Sequence, residues 1–301
     1  MSETNEPSVM KAPKSLHVLV TGISGQQGGH VAWHLLKRGH HVRGLARNPE
    51  NPKLTEVHSL GAEIVAGSFD DPATLEGAAK GIDAMFLMGT SFERGPQVET
   101  QEGKTAVDVA KKVGVPWLVY SSVASANRKT GIPHFESKFA VEEHLRQSGV
   151  PSVVSAPTSF MENVIAPRSI PGLKQGKVAG ALSPSKPVQM VALQDLGSWV
   201  TFLIENPSRF KGKRFDVASD SLTNTDAVRI LSEVGGRKFE YQQIPMEVMR
   251  SQSADYAKML EWLERAGYTA DIEGLRKEYP QVGWHRFREW AARQNWARIL
   301  S

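Results

Sequence analysis

The sequence predicts an α/β fold, with a doubly wound parallel sheet in its first half and a smaller C-terminal α/β lobe. Three observations carry this expectation. Up to residue 158, apolar runs of strand length alternate with helical spacings at intervals of about 20 to 35 residues, which implies parallel strands joined by right-handed crossovers. The first run enters the first helix through three glycines spaced Gly22-x-x-Gly25-x-x-Gly28. Past residue 158 the rhythm breaks.

The elements follow in order. Leu16 to Val20 is apolar throughout, as suits a strand covered on both faces. After the glycines, Val31, Ala32, Leu35 and Leu36 recur at helical spacing until Gly39 offers a stop. His41–Ala46 reads as a second strand, Leu54–Leu60 as a helix and Glu63–Gly67 as a third strand. Asp71-Pro72 opens the next helix, since proline is tolerated in a first turn. Asp83–Gly89 is a fourth strand, and Ala106, Val109, Ala110 and Val113 mark one face of a long helix. Pro116–Ser122 is a fifth strand, Phe139–Leu145 is helical and Ser152–Ala156 is a sixth strand. Residues 16–158 thus form the expected first domain, and residues 159–301 are mostly a substrate or partner lobe. Within that lobe Ala166–Pro187 reads as loop and short helix, and residues 224–235 and 246–267 as helical. Strands near 188–193 and 214–217 are expected to return to the first domain.

Composition narrows the function. Apolar content of 40% and charged content of 23% are those of an ordinary globular protein, and no run approaches the roughly 20 apolar residues of a membrane span. Residues 1–15 are polar with two prolines, which reads as a disordered tail and not a signal peptide. Cysteine is absent, so disulfides, thiolate zinc sites and cysteine nucleophiles are excluded, and a cytoplasmic setting is expected. The net charge of +4 comes wholly from residues 151–301 and is scattered, which fits a solvated surface better than a nucleic-acid footprint. Trp284, Phe287, Trp290 and Trp296 stand among four arginines, a stripe that packs a lobe more readily than it reads bases.

A strand, a glycine turn and a helix make an anion site. The turn needs a residue without Cβ, a second glycine admits a pyrophosphate to the backbone, and the helix N-terminus points unpaired N–H groups at it. Thr21, Gly22, Ser24, Gly25, Gln26, Gln27 and Gly28 are therefore the expected pyrophosphate contacts of a dinucleotide. Arg47 lies 19 positions beyond Gly28, with Arg43 and Lys53 nearby and no carboxylate before Glu50. A guanidinium there suits a ribose 2′-phosphate, so NADP is favoured, with NAD as the alternative. Ser68, Phe69 and Asp70 end the third strand where an adenine would lie, although Phe69 equally suits the core. Gly89 and Thr90 end the fourth strand and Ser121 and Ser122 the fifth. Pro157 and Phe160 complete the expected cofactor contacts. His134 and Lys138 share a helix face one turn apart, and lysine there suits ribose hydroxyls. His134 reads either as a proton donor or as a residue decorating the helix start. His30 and His34 have metal-pair spacing but no third ligand, so no metal is expected.

These segments together are specific. The glycine turn Thr21–Gly28, Ala46-Arg47-Asn48-Pro49, Ser121-Ser122-Val123 and His134-Phe135-Glu136-Ser137-Lys138 resemble the NmrA-like branch of the atypical short-chain dehydrogenases. Ser159-Phe160-Met161-Glu162-Asn163, Leu193-Gln194-Asp195-Leu196-Gly197 and the Leu222-Thr223-Asn224 turn extend the match to about residue 240. The resemblance implies a Rossmann-like fold with NAD(P)H, usually NADPH, at the glycine turn. It also implies either a quinone- or isoflavone-type reductase or a catalytically silent redox sensor. Standard short-chain dehydrogenases carry Tyr-x-x-x-Lys; here His134 fills the tyrosine slot and Lys138 is retained. Ser155-Ala156-Pro157 stands where relatives commonly carry Arg before Pro. The expected function is an NADPH-dependent oxidoreductase for a quinone-like or aromatic carbonyl compound, with Lys138, His134 and Ser122 as its catalytic set. The rival is a sensor that docks a protein partner. Neither reading involves nucleic acid or membrane.

Overall fold

A computed structural model describes residues 15–301; the tail expected over residues 1–15 lies, apart from Ser15, outside the described residues. The first half runs β1 (His17–Thr21), α1 (Gln26–Lys37), β2 (His41–Ala46), α2 (Thr55–Ser59), β3 (Glu63–Ala66), α3 (Pro72–Ala79), β4 (Ala84–Met88), α4 (Pro96–Val113), β5 (Leu118–Ser121), α5 (Pro133–Ser148) and β6 (Ser152–Pro157). Short elements β7 (Ser159–Phe160), α6 (Ile170–Lys174), β8 (Lys177–Gly180) and β9 (Pro187–Val191) follow. Then come α7 (Leu193–Glu205), α8 (Pro207–Phe210), β10 (Arg214–Val217), β11 (Asp220–Thr223), α9 (Asn224–Gly235) and β12 (Glu240–Gln243). The chain ends with α10 (Met246–Gln252), α11 (Ala254–Arg265), α12 (Ile272–Glu278), α13 (Phe287–Ala292) and α14 (Trp296–Leu300).

Seven parallel strands form the central sheet in the order β10-β6-β5-β4-β1-β2-β3. The chain winds outward from β1 through β2 to β3, then returns to lay β4 against the other side of β1. That reversal leaves a crevice at the carboxyl ends of β1 and β4, where ligands of such sheets bind. Alternation along each strand fills both faces. Val18, Val20, Phe86 and Val119 pack under α1 and α7, while Leu19, Met85, Leu87 and Tyr120 pack with residues of α3, α4 and α5.

The C-terminal half differs from expectation in three places. The run near 188–193 does not return to the central sheet. β10 takes the edge beside β6, and β9 instead pairs antiparallel with β11 and parallel with β7. Spacing alone does not say which edge an isolated strand will find. The helical stretch 246–267 is broken at Ser253, whose extended backbone ends α10 and whose hydroxyl caps α11 through the Tyr256 amide. Strands β7, β8, β11 and β12, each four residues or shorter, lie in segments where no strand periodicity is resolved.

The tryptophans are packing, as expected. Trp290 and Trp296 are buried with Phe287 and Leu231. Their indole N–H groups donate to Glu162 and to the Ala291 carbonyl.

Candidate functional site

The crevice is built by the glycine turn. β1 ends at Thr21, whose hydroxyl accepts from the Met88 amide (2.9 Å) and lies 3.2 Å from the Phe86 carbonyl, tying together the two strands that flank the crevice. Gly22 turns the chain with φ +63°, and a Cβ there would lie 2.5 Å from Met88 Sδ. Gly25 caps α1, its amide donating to the Gly22 carbonyl (2.9 Å). A Cβ on Gly28 would strike the Gly22 carbonyl itself, so this glycine lets helix and turn touch. The first turn of α1 carries no acidic residue and no side-chain cap. Its orphan N–H groups, including those of Gln26, Gln27 and Gly28, suit an anion.

The cleft in front of this turn is walled by Thr21, Gly22, Ser24, Gly25, Arg47, Ser68, Phe69, Gly89 and Thr90, all expected cofactor contacts. Glu93, Arg94 and Glu102 share the wall, and sequence reasoning missed them. Arg47 is exposed and pairs with Glu93 on the β4–α4 loop at 2.8 Å. Asp70, offered as an adenine contact, is held by both oxygens on Arg94 (3.0 and 2.8 Å), which also pairs with Glu102. Arg43 does not surround the spot. It lies within β2, bonded to Glu63 (2.9 Å) and to the Ala78 carbonyl at the end of α3. Lys53 is exposed on the short turn Pro52–Leu54, off the cleft wall.

Farther along the sheet, Ser121, which ends β5, and Ser122, which follows it, part company because successive side chains face opposite ways. Ser121 donates to Gln27 Oε1 (2.7 Å), fastening β5 to α1. Ser122 is buried and donates to the Glu142 carboxylate on α5. Glu142 in turn accepts from Arg214 Nε (2.8 Å), and Arg214 also pairs with Asp216. Ser122 is therefore engaged in a buried network with α5, the helix that also carries His134 and Lys138. Pro157 is buried, with its carbonyl taken by the Ala124 amide (3.0 Å), and Phe160 is half-buried against the α1–α7 core.

Lys138 and His134 leave their shared face for different partners. The Lys138 ammonium donates to Glu99 Oε1 (2.7 Å) and to the Gly89 carbonyl (3.1 Å). Glu99, on α4, is 2% exposed and also accepts from Ser137 Oγ (2.5 Å). His134 is buried, and its Nδ1 lies 2.7 Å from Asp255, the second residue of α11. Phe92, three-quarters exposed on the β4–α4 loop, sits against the His134 ring at 5.7 Å between centroids. The break at Ser253 is what aims the start of α11, and with it Asp255, at His134.

Other motif residues act as clasps. Glu162 accepts from the Leu193 amide at 3.1 Å, capping α7, and from Trp290. Asp195 accepts from the His285 amide (2.8 Å) and faces His285 Nδ1 (2.5 Å). Burial pushes both carboxyls above their usual range, against these hydrogen bonds. The His30 and His34 pair makes no metal site. His30 Nδ1 sits on the Gln26 carbonyl at 2.8 Å, and burial, followed by His30, lowers the His34 pKa to about 4. Among the described residues no group of three metal-binding side chains occurs, and no helix is long and apolar enough to cross a membrane.

Comparison with known proteins agrees with this geometry. The model of the NmrA-like family matches residues 14–291. An NmrA-like family domain-containing protein of Dictyostelium discoideum is 30% identical over 269 residues, covering 84% of this chain and 89% of that protein. A (4-alkanoyl-5-oxo-2,5-dihydrofuran-3-yl)methyl phosphate reductase of Streptomyces griseus is 29% identical, covering 78% of this chain and 79% of that protein. The crystal structure of an NADPH-dependent quinone oxidoreductase of Escherichia coli with NADPH superposes with a TM-score of 0.76 at 21% identity. It covers 91% of this chain and 98% of that one.

Proposed function

Because the chain belongs to the NmrA-like family, we propose that it is an NADPH-dependent oxidoreductase for a small quinone-like or aromatic carbonyl compound. The observation that carries this reading is the uncapped N-terminus of α1 sharing one cleft with Arg47. The residues fit the cofactor: the glycine turn leaves room for a pyrophosphate against the backbone, and the guanidinium suits a 2′-phosphate. Bound NADPH supplies a hydride. The chain holds and orients it, with one Lys138 N–H left over for a ribose hydroxyl. With Nδ1 on Asp255, His134 Nε2 is the ring nitrogen left to hold or deliver a proton.

The fall of NADPH absorbance with purified protein and a panel of quinones tests the reaction. Replacing Arg47 by Ala is expected to weaken NADPH binding by about 1.5–3 kcal/mol and leave NADH almost unchanged. Equal losses in calorimetric titrations of the two cofactors would remove Arg47 from the 2′-phosphate. For a substrate that is turned over, His134→Ala should lower kcat by about 100-fold with cofactor affinity intact. His134→Tyr, which restores the usual dehydrogenase pattern, should retain part of the activity. Turnover within a few-fold of the parent in the alanine variant would mean that the proton comes from elsewhere.

A second reading is a dinucleotide sensor that docks a protein partner. It is favoured by the engagement of Ser122, Lys138 and His134 with Glu142, Glu99 and Asp255. Tight NADPH binding with no turnover of any quinone would select it.

A further inference from the structure

Arg47 does not wait empty. Its guanidinium already holds a carboxylate, Glu93 Oε2, at 2.8 Å, and the two side chains are 66% and 54% exposed. A pair so exposed is weak and exchangeable. Arg94, the neighbouring cation on the cleft wall, is bound to Asp70 through both carboxylate oxygens and also to Glu102. Arg47 is thus the cation of the wall whose partner gives way most easily. Glu93 rides on the loop from Gly89 to Gly95 that joins β4 to α4, and Gly95 has φ +87°. Beside it, Phe92 sits on the His134 ring.

We infer that Glu93 tempers the preference for NADPH over NADH that Arg47 confers, by occupying on Arg47 the place a ribose 2′-phosphate would take. The inference rests on the cofactor reading proposed above. A phosphate can grip the guanidinium by two charge-assisted hydrogen bonds, and two anions cannot share it cheaply, so NADPH must displace Glu93 before it gains that contact. A 2′-hydroxyl carries no charge and makes no such demand.

The test is a set of calorimetric titrations with NADPH and NADH on the parent, Glu93→Gln, Arg47→Ala and the double variant. Glu93→Gln should bind NADPH about three- to tenfold more tightly and NADH within twofold of the parent. In the Arg47→Ala background the same replacement should give no gain, because the competitor then has nothing to occupy. Unchanged or weakened NADPH binding by Glu93→Gln, with Arg47→Ala still costly, would overturn the role of Glu93 and leave the cofactor reading standing. If neither the parent nor Glu93→Gln binds NADPH, both readings fall together.

Discussion

Replacing Lys138 by Ala is expected to cost about 3–5 kcal/mol of stability and to weaken dinucleotide binding in the same stroke. The two losses have separate causes. Glu99 is 2% exposed, and both partners of its carboxylate come from α5: the Lys138 ammonium and the Ser137 hydroxyl. Without the ammonium a buried carboxylate keeps one hydroxyl partner and must either bear the desolvation or take up a proton. The Gly89 carbonyl loses its donor as well. Binding suffers because an ammonium has three N–H groups and only two are used here. Chemical denaturation of three proteins separates these effects: the parent, Lys138→Ala and the double variant Lys138→Met, Glu99→Gln. The double variant should recover most of the stability and none of the lost affinity. A single variant that unfolds within 1 kcal/mol of the parent would show that the pair does not hold α4 to α5.

The glycine turn should split in two under mutation. Gly25→Val is expected to abolish dinucleotide binding in a folded protein. Gly25 has an ordinary φ of −93°, and its Cβ would press on the Gly22 carbonyl at 3.2 Å, a contact that needs a shift of only a few tenths of an ångström. The added methyls then stand where a pyrophosphate needs the bare helix end. Gly28→Ala should do the reverse. Its Cβ would drive into the Gly22 carbonyl, and neither backbone segment can yield, so a loss of about 1–3 kcal/mol or more is expected. Thermal unfolding and calorimetric titration of both variants check the pair. Normal NADPH affinity in folded Gly25→Val protein would place the pyrophosphate elsewhere.

How far the chain could be read beforehand depended on the distance each feature spans. Six parallel strands, the glycine turn and most of the cleft wall were legible because strand, turn and helix are local patterns. Arg47 was legible from its spacing alone. Its partner Glu93 was not, since the two meet only after β4 returns to the centre of the sheet. Glu99 had a signal that went unused: with Gly103, Ala106 and Ala110 it falls on the buried stripe of α4, and a carboxylate on such a stripe needs a partner. Ser121 and Ser122 were placed at the carboxyl end of the fifth strand, but adjacent residues face opposite sides, and only the sheet's layers say that Ser121 meets α1 and Ser122 meets α5. Asp255 lies 121 residues from His134, and nothing near either residue announces the contact.

That contact divides the molecule's inheritance. The glycine turn, Arg47 and Lys138 all come from residues before about 140, whereas the carboxylate that meets His134 arrives on α11, behind a one-residue break at Ser253. A relative could therefore exchange, shorten or re-aim its chain from α11 onward and retain the glycine turn, Arg47 and Lys138 while losing the partner of His134. Chimeras joined near residue 245 would make that exchange by hand, replacing Asp255 while leaving the glycine turn untouched.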